Sequence, residues 1–444
     1  MTMLTSFLDH LSTVPAPIPS VTLASNQSPS SGNPVWVTLL VGLAGALLAG
    51  AGAFAGAWRS SRVLRQNTER TLEHERTRLL NERFSTAAEL LGHSEAACRL
   101  AGVHAMAGLA DDWTERRQTC IDVLCAYLRM PYPQDPEEDT PAGEDPTGQA
   151  NREVRLTVIR TIRDHLLPAT PPETAWSGYD LDFTGAVFDG GDFSNASFSG
   201  GKVRFTGATF SGGTVSFYGA TFCGGAVGFY GATFSGGEVN FRGATFSGGT
   251  VNFRGATFSG GEVNFRGATF SGDEVNFGRA EFSGGEVSFY GAEFSGGEVS
   301  FYGTKFSGSV VNFYGTELSA GEVNFGRTTF SGGAVNFRST TFSGGEVSFH
   351  GVKFSSGEVS FYGVKFSSGE VSFYGVKFSS GEVNFKGAKF SGAWVTFHAA
   401  QFDGGVVDMR DVATWSRPPF FDDGLLTAPP AGLLLPGPLP KPKP

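Results

Sequence analysis

The chain has 444 residues, of which 63 are Gly and 42 are Phe, against 10 Tyr and 6 Trp. Gly is about twice as frequent as usual but shows no Gly-X-Y period, which excludes collagen. So many Phe exclude a disordered chain of low hydrophobicity. The formal net charge of −10 argues against a general nucleic-acid binder, which carries a basic balance. Four cysteines are too few for a disulfide scaffold of this length and fit a reducing compartment.

The N-terminal region predicts a membrane anchor. Residues 1–33 are polar, contain no Lys or Arg, and predict a disordered extracytoplasmic tail. Within segment 34–58, the 24 residues from Val35 to Trp58 carry no charge. At 1.5 Å per residue they extend ~36 Å, enough to cross a hydrocarbon core of ~30 Å. A cleaved signal peptide would need a basic n-region and a shorter apolar core. We therefore predict a single transmembrane helix, with a buried soluble helix as the alternative.

Charge on the two sides of this segment predicts its orientation. No basic residue precedes it, whereas Arg59, Arg62, Arg65 and Arg70 follow, and cytoplasmic flanks carry the Lys/Arg excess. The expected location is the cell (plasma) membrane, with the N-terminus outside and the rest in the cytoplasm. Small residues four apart let two helices approach closely, which permits a homodimer through Gly42, Ala46, Gly50, Gly52 and Gly56. Abundant Ala and Gly in the span explain the same spacing without a dimer.

Residues 59–130 predict a charged helical stalk followed by a small helical domain. The apolar positions of the stalk, Val63, Leu64, Leu72, Leu79 and Leu80, do not sustain a coiled-coil heptad. Ser94 is the expected N-cap of one helix. Asp112, with Glu115 in a capping box, is the expected start of a second helix that ends before Pro131.

An acidic, Pro-rich linker occupies residues 131–150, and Asn151 is the expected N-cap of a helix at 151–170 that leads into the repeats. Short amphipathic helices in series suggest a small, armadillo-like helical domain. Cys120 and Cys125 lie on a helix with an apolar face, which makes them packing residues rather than ligands.

A twelve-residue repeat fills the C-terminal half of the chain. A first Phe recurs every twelve residues from Phe205 to Phe397, in seventeen copies, with a Val two residues before each. A second Phe follows five residues after the first, with Leu318 as the single substitute, and the residue two before it is always Ala, Thr or Val. Repetition of this kind indicates a solenoid.

Each repeat resolves into two short strands and two corners. Alternation along Val239-Asn240-Phe241 turns Val and Phe to one side and Asn to the other. Arg242-Gly243 predicts a tight corner, because Gly supplies the positive φ that corners need. The interior is expected to hold only Val, Phe and small residues, with all polar residues outside. Representative core positions are Phe205, Phe210, Phe241, Phe246, Phe289, Phe294, Phe361 and Phe366.

The beginning of the array has a spacing of five. Phe183, Phe188, Phe193 and Phe198 are followed by the 5+7 spacing of the later copies. This stretch resembles the pentapeptide-repeat family, and the whole resembles its Phe-rich variant in actinobacterial membrane-anchored proteins. The resemblance implies a mostly β fold, a right-handed quadrilateral β-helix over residues 181–410, preceded by the transmembrane helix and the helical domain.

In this family four pentapeptides make one coil, so the array should hold one pure coil and then coils of two 12-residue units. Stacked at ~4.8 Å, these coils make a rod of ~45 Å. Residues 411–444 should supply a C-terminal cap, with Trp415, Phe420 and Phe421 as a lid over the last coil, and then a disordered Pro-rich tail.

Outward positions form rows that are candidates for binding. The residue before Val is Glu in ten copies, and a Thr row ending at Thr269 gives way to Lys353, Lys365, Lys377 and Lys389. Tyr and Arg are favoured at interfaces, although repeat duplication alone can amplify surface residues. The candidate interaction ladder is the site after the first Phe: Tyr218, Tyr230, Arg242, Arg254, Arg266, Tyr290, Tyr302, Tyr314, Tyr362 and Tyr374.

No catalytic motif, zinc spacing or phosphate loop is present, so the sequence predicts no enzyme, no cofactor and no metal. The expected function is a membrane-anchored protein–protein interaction scaffold with an unknown protein partner. A DNA-mimicking inhibitor of DNA gyrase, as some pentapeptide-repeat proteins are, is the alternative. Residues 181–410 hold 19 acidic and 15 basic residues, a modest excess for a DNA mimic, and no direct nucleic-acid binding is expected. A regulatory or signalling membrane protein with an unknown ligand is a third reading.

Overall fold

The computed structural model describes residues 35–131, 146–319 and 321–437. The chain divides into two compact units, residues 1–76 and 77–444. The described residues form helices α1 (Val35–Leu91), α2 (Ala96–Asp112), α3 (Arg117–Arg129), α4 (Pro146–Asp164) and α5 (Asp423–Thr427), with a 3-10 turn at Thr114–Arg116. The tail at 1–33, residues 132–145 of the linker at 131–150 and the last seven residues lie outside the described residues.

In the first unit the described residues belong to helix α1. The side chains of residues 35–57, including every residue of the predicted dimer contact, lie outside the described part. Within that part, no helix combines the length and the apolar character that crossing a membrane requires. Leu64 and Leu72 are exposed, and the Arg62 guanidinium lies 3.7 Å from the centre of the Trp58 ring.

In the second unit the helix boundaries correct three predicted caps. α2 begins after Glu95 rather than Ser94, and no side chain caps it. Ser94 lies in the preceding turn, where its backbone carbonyl accepts a hydrogen bond from the Arg99 guanidinium. Asp112 ends α2 instead of starting the next helix, and α3 begins after the 3-10 turn. Pro146, at a position where a missing N–H costs nothing, starts α4 five residues before Asn151. The end of α3 before Pro131 is as predicted.

The helices are not a separate domain, because their core continues into the first coil of the solenoid. The apolar sides of α2, α3 and α4 share one buried cluster with the first Phe side chains. Arg155 donates hydrogen bonds to the carbonyls of Leu128 and Val187, 2.8 and 2.6 Å away, and so joins the end of α3 to the first coil. The helical region therefore covers the N-terminal end of the solenoid, the end that an open solenoid must cap.

The solenoid has four faces, which we number in chain order around one coil. Face one is a ten-stranded sheet of Leu181–Asp182, Val203–Arg204, Val227–Gly228, Thr250–Asn252, Glu274–Asn276, Glu298–Ser300, Glu322–Asn324, Glu346–Ser348, Glu370–Ser372 and Trp394–Thr396. Face four is a nine-stranded sheet of Ser197–Ser199, Thr221–Cys223, Thr245–Phe246, Thr269–Phe270, Glu293–Phe294, Glu317–Leu318, Thr341–Phe342, Lys365–Phe366 and Lys389–Phe390.

Faces two and three form one 19-stranded sheet, because the eight-residue strands Thr329–Asn336 and Lys353–Ser360 run across both. Face two adds Val187–Phe188, Thr209–Phe210, Thr233–Phe234, Thr257–Phe258, Glu281–Phe282, Lys305–Phe306, Lys377–Phe378 and Gln401–Phe402. Face three adds Gly191–Asp192, Thr214–Ser216, Glu238–Asn240, Glu262–Asn264, Glu286–Ser288, Val310–Asn312, Glu382–Asn384, Val406–Asp408 and Leu433–Leu434.

Every strand pairs in parallel with the strand one coil away, and the register gives the coil size. Val239 pairs with Val263 and Phe246 with Phe270, an offset of two repeats, which confirms the coil of two 12-residue units. The first coil is longer than four pure pentapeptides, because Leu181 pairs with Val203. The enlarged corner at Gly200–Gly201 adds two residues between Phe198 and Phe205. The structure is thus a parallel β-solenoid of the four-sided kind.

Columns of stacked Phe rings fill the interior. Phe217 and Phe241 stack with centroids 4.8 Å apart and planes within 4°, and Phe205 meets Phe217 edge to face at 5.6 Å. All eight representative core positions have 1% exposure or less: Phe205, Phe210, Phe241, Phe246, Phe289, Phe294, Phe361 and Phe366. These stacked and edge-to-face geometries are the favourable ones for aromatic pairs. The high Phe content of the chain is therefore explained by its core.

The expectation that all polar residues face outward is wrong for four threonines. Thr304, Thr316, Thr328 and Thr340 occupy the small inward position and are fully buried. Each hydroxyl donates to a backbone carbonyl one coil back, as from Thr304 to Phe277 at 2.9 Å. A buried hydroxyl is tolerated when it is hydrogen-bonded, which explains why Thr alternates with Ala and Val at this position.

The C-terminal end is closed by more of the chain than predicted. Phe421 stacks on Phe397 at 4.9 Å and is buried, and Trp415 stacks on Phe390 at 5.4 Å. Phe420 points outward and is exposed, so the lid consists of the other two. The Pro-rich tail also contributes: Leu433–Leu434 pairs with Val407–Asp408, which corrects the prediction that this whole tail is disordered.

Candidate interaction surface

The predicted ladder is two rows on opposite edges of the solenoid, because alternate repeats lie half a coil apart. The first edge row, between faces three and four, holds Tyr218, Arg242, Arg266, Tyr290, Tyr314, Arg338, Tyr362, Lys386 and Arg410. The second edge row, between faces one and two, holds Tyr230, Arg254, Gly278, Tyr302, Gly326, His350, Tyr374 and His398. Backbone hydrogen bonds join neighbouring corners within each row, as from Gly219 to Arg242 and from Gly231 to Arg254, both 3.0 Å.

Neighbouring side chains of the first edge row contact each other. The Tyr290 and Tyr314 rings stack at 5.2 Å with an interplanar angle of 12°. The Arg266 guanidinium lies 4.6 Å from the centre of the Tyr290 ring, and Arg338 lies 4.5 Å from that of Tyr362. Each cation–π contact at an exposed site contributes ~0.5–1 kcal/mol. Rings and guanidinium groups of the row are therefore in contact from Arg266 to Tyr314 and again from Arg338 to Tyr362.

The second edge row ends in a run of rings. His350 and Tyr374 lie 4.9 Å apart, Tyr374 and His398 5.4 Å, and His398 and Phe420 6.2 Å. His398 Nδ1 lies 2.5 Å from Asp422 Oδ1, and the hydrogen bond from His398 lowers the pKa of Asp422. Asp422 also accepts from the backbone N–H of Ala399 at 2.9 Å, so the segment after the last coil fixes the end of this row.

Beside these rings lies an open groove of about 710 Å³, which we call the C-terminal groove. One wall is the row of rings just described and the other is Glu370 and Trp394 of face one, with Ser372 and Thr396 between them. Trp394 is 52% exposed and Phe420 49%. The Arg417 guanidinium lies 4.8 Å from the centre of the Trp394 ring. Exposed aromatic residues gathered in one place mark an interaction site more reliably than scattered ones.

Trp394 and the groove were missed by the sequence analysis, although a signal was present. Trp394 stands in the face-one column where the five preceding coils have Glu, and it pairs in register with Glu370. A bulky exposed side chain at a repeat position that otherwise carries a charge indicates a candidate binding residue. Phe420 and Asp422 could not be found this way, because they lie beyond the last complete repeat.

The glutamates also separate into columns. Glu274, Glu298, Glu322, Glu346 and Glu370 lie in consecutive coils of face one, each in register with the next. Burial, followed by the charges of Glu322 and Glu274, raises the pKa of Glu298. Like charges directly opposite each other destabilise a sheet. Face one is therefore acidic over the five coils from Glu274 to Glu370.

The lysines lie on other faces. Lys353 pairs with Lys377 on face two, and Lys365 with Lys389 on face four. Where the earlier coils have Thr at these positions, as at Thr233 and Thr245, the last coils are basic. The predicted change in charge from one end of the array to the other is thus divided between faces two and four. None of these lysines lines the C-terminal groove.

In the described part of the chain, no group of three or more His, Cys, Asp or Glu is arranged to bind a metal ion. The two cysteines of α3 are fully buried. Burial raises the pKa of the Cys120 thiol to about 11 and that of Cys125 to about 12, so both are protonated at neutral pH. They pack in the helical core, as predicted.

A parallel four-sided solenoid with short strands, Gly corners and stacked Phe columns defines a class of repeat protein. A family model described as pentapeptide repeats matches nine copies in residues 179–221, 229–280 and 260–304. Over this stretch the chain has the repeat of the pentapeptide-repeat family. The same coil continues to Asp408. No curated protein and no solved structure matches the chain.

Proposed function

We propose that this chain is a non-enzymatic scaffold, anchored in the cell membrane, whose solenoid presents the C-terminal groove and the edge rows to a protein partner. The observation that carries the proposal is the exposed cluster of Trp394, Tyr374 and Phe420 beside an acidic column. Trp and Tyr are the residues that most often dominate binding energy. A pentapeptide-repeat solenoid fits such a role, because its surface is a rigid array of side chains.

Rigidity favours binding for a physical reason. Immobilising a flexible side chain at an interface costs ~0.5–1.5 kcal/mol. Here the rings already lie in rows against each other, and the backbone beneath them is tied by hydrogen bonds at every coil. Much of that cost has therefore been met in the free protein. The Glu column on face one and Asp422 add negative charge, which favours a partner with basic residues at the contact.

The membrane anchor remains a proposal that rests on the sequence. The uncharged stretch from Val35 to Trp58, followed by Arg59 and Arg62, supports a single span with the solenoid in the cytoplasm. A reporter that is active only in the cytoplasm, fused after residue 437 in the full chain, should be active and should sediment with membranes. Recovery of the fusion in the soluble fraction would contradict the anchor without affecting the scaffold.

The test of the scaffold is proximity labelling from the full-length chain in its native cell. The Trp394→Glu substitution restores the residue that the five preceding coils carry on face one, so the fold should be kept. Loss of a Trp side chain that the partner covers in the complex costs at least ~2 kcal/mol of binding energy, and the labelling of a direct partner should fall by about tenfold or more.

The matched control is Val406→Glu, which introduces the same residue at the same repeat position on face three, in register with Glu382. It should leave labelling unchanged. Equal labelling by the wild-type chain and Trp394→Glu would remove the groove from the proposal. Potent inhibition of gyrase supercoiling by the purified chain would instead favour the DNA-mimic alternative.

A further inference from the structure

The first edge row shows how this solenoid places a guanidinium group on a ring. The Arg266 guanidinium lies 4.6 Å from the centre of the Tyr290 ring, and that of Arg338 lies 4.5 Å from the centre of the Tyr362 ring. In both pairs the arginine stands one coil before the tyrosine. The distances are close to the 4.8 Å at which core rings stack from coil to coil. A guanidinium group can therefore take the place of a ring in such a stack.

Trp394 in the C-terminal groove presents a ring in the same way, but the residue one coil before it is Glu370. This side chain is shorter than that of an arginine and has the opposite charge. The Arg417 guanidinium lies 4.8 Å from the centre of the Trp394 ring. Because Arg417 belongs to the segment after the last coil and its backbone N–H donates to the Phe390 carbonyl at 3.1 Å, it reaches the ring from the C-terminal side. The side toward Glu370 is left to the groove.

The charges at the groove are unbalanced. Glu370 is exposed, and its register neighbours are Glu346 and Trp394. In the part of the chain that the structure describes, Glu370 forms no ion pair. The described residues that line the groove include no Lys or Arg, and His398 on the other wall faces Asp422. A carboxylate without a cation beside an exposed indole attracts a cationic group from outside.

The polar groups of the groove favour arginine over lysine. The hydroxyl oxygens of Ser372 and Thr396 each accept one backbone N–H, from Tyr374 at 3.4 Å and from His398 at 3.2 Å. A hydroxyl oxygen has two lone pairs, so each can accept one more hydrogen bond. A guanidinium group lies flat on a ring while its N–H groups point in its plane to carboxylate or hydroxyl oxygens, which a compact ammonium group cannot do. The volume of about 710 Å³ also admits the residues beside the arginine.

We propose that the C-terminal groove binds an arginine side chain in an exposed segment of the protein partner, with the guanidinium group against the Trp394 ring and paired with the Glu370 carboxylate. This inference rests on the proposed scaffold function and names the group by which the partner is recognised. The contact repeats, with a residue from a second protein, the arginine–ring pairs of the first edge row.

The test is a titration of the purified full-length chain, followed by saturation-transfer NMR, with the blocked heptapeptide Gly-Ser-Gly-Arg-Gly-Ser-Gly. Saturable binding is expected. Citrulline has the shape of arginine without its charge, so the citrulline peptide should bind at least fivefold more weakly, and the lysine peptide about threefold more weakly. Trp394→Leu removes the ring but keeps an apolar side chain, and it should weaken binding of the arginine peptide at least fivefold.

Glu370→Gln removes the carboxylate and with it one like-charge contact to Glu346, so the fold should be kept while binding falls about threefold. The matched control is Glu382→Gln, the same change at the same repeat position on face three. It alters the net charge of the chain equally but lies outside the groove, so it should bind like the wild type. Equal weakening by both variants would mean a nonspecific attraction between a basic peptide and an acidic chain, and would overturn the inference.

Equal binding of the arginine peptide and either of its two analogues, or absence of binding by all three peptides, would overturn it as well. The scaffold proposal is judged separately, by the labelling of Trp394→Glu. If labelling falls in that variant while no peptide binds, the arginine contact alone is wrong. If labelling is unchanged and no peptide binds, both proposals fail.

Discussion

Glu298 shows that repetition of an acidic residue in every coil can destabilise the sheet at a single position. It lies in register with Glu274 and Glu322 on face one, and burial together with these two charges raises its pKa. The folded state therefore penalises its ionisation more than the unfolded state does. Its contribution to stability is favourable below the unfolded pKa of about 4.3 and is lost as the pH rises through the raised value.

We therefore expect Glu298→Gln to raise the melting temperature at pH 7, and the difference to vanish as the pH approaches 4. Glu298 is exposed, so solvent screening limits the gain to ~0.2–1 kcal/mol, or about 1–3 °C for a chain of this size. Calorimetry at several pH values measures it. Glu281→Gln is the control, because Glu281 has Thr257 and Lys305 as its register neighbours, and it should not stabilise.

The buried threonines give a second prediction at the scale of the residue. Thr304 donates to the Phe277 carbonyl, which also accepts from the backbone N–H of Ala280 at 3.0 Å. In Thr304→Val the carbonyl keeps one donor, and the position accepts Val elsewhere, as at Val352. The expected loss is ~0.5–1.5 kcal/mol, the net value of one hydrogen bond. A decrease in the free energy of unfolding above ~3 kcal/mol, measured by chemical denaturation, would contradict a contribution of one hydrogen bond.

These two residues also mark what the sequence could and could not reveal. The period of twelve and the alternation of Val and Phe predict which side chains are buried, because alternation follows directly from strand geometry. The hydrogen bond of Thr304 could not be predicted, because it joins positions 27 residues apart and depends on the coil size. The division of the ladder into two edge rows follows from the same quantity.

At the scale of the element, the sequence predicted the helices but not that they cover the first coil. Apolar spacing on α3 and α4 predicts helices, and both are present. That they cover the first coil depends on contacts that a local pattern does not contain. Gly191 is the clearest of these, since a Cβ there would lie 2.9 Å from Ile159 Cδ1 on α4. The helix approaches the first coil this closely because residue 191 has no side chain.

Gly191→Ala should therefore loosen the cap. Gly191 has a φ of 145°, so Ala would add backbone strain to the collision with Ile159. Gly243→Ala is the control: its φ is 65° and a Cβ there meets no atom within 4 Å, so it should cost only the ~1–2 kcal/mol of a left-handed non-Gly residue. Hydrogen exchange should show increased exposure of α4 in Gly191→Ala and none in the control. Equal exchange of α4 in both would contradict a tightly docked cap.

At the scale of the whole molecule, the solenoid behaves as a one-dimensional stack in which each coil is stabilised by its neighbours. Phe289 lies in the middle of the array and stacks on Phe265 at 5.0 Å and on Phe313 at 4.8 Å. Both ends are closed, by the helices at one and by Phe421 and Leu433 at the other. A fault in the middle should therefore separate two halves that each retain one capped end.

Phe289→Asp should produce that fault, because an unpaired carboxylate in this interior has no hydrogen-bond donor provided for it. Phe289→Leu, which keeps an apolar group and leaves a small void, should cost ~1–3 kcal/mol and preserve a single transition. The Asp variant should lower the melting temperature by far more, broaden or divide the transition, and admit proteases near residue 289 while the capped ends stay protected. Unchanged melting of Phe289→Asp would contradict an interior in which the Phe columns hold the coils together.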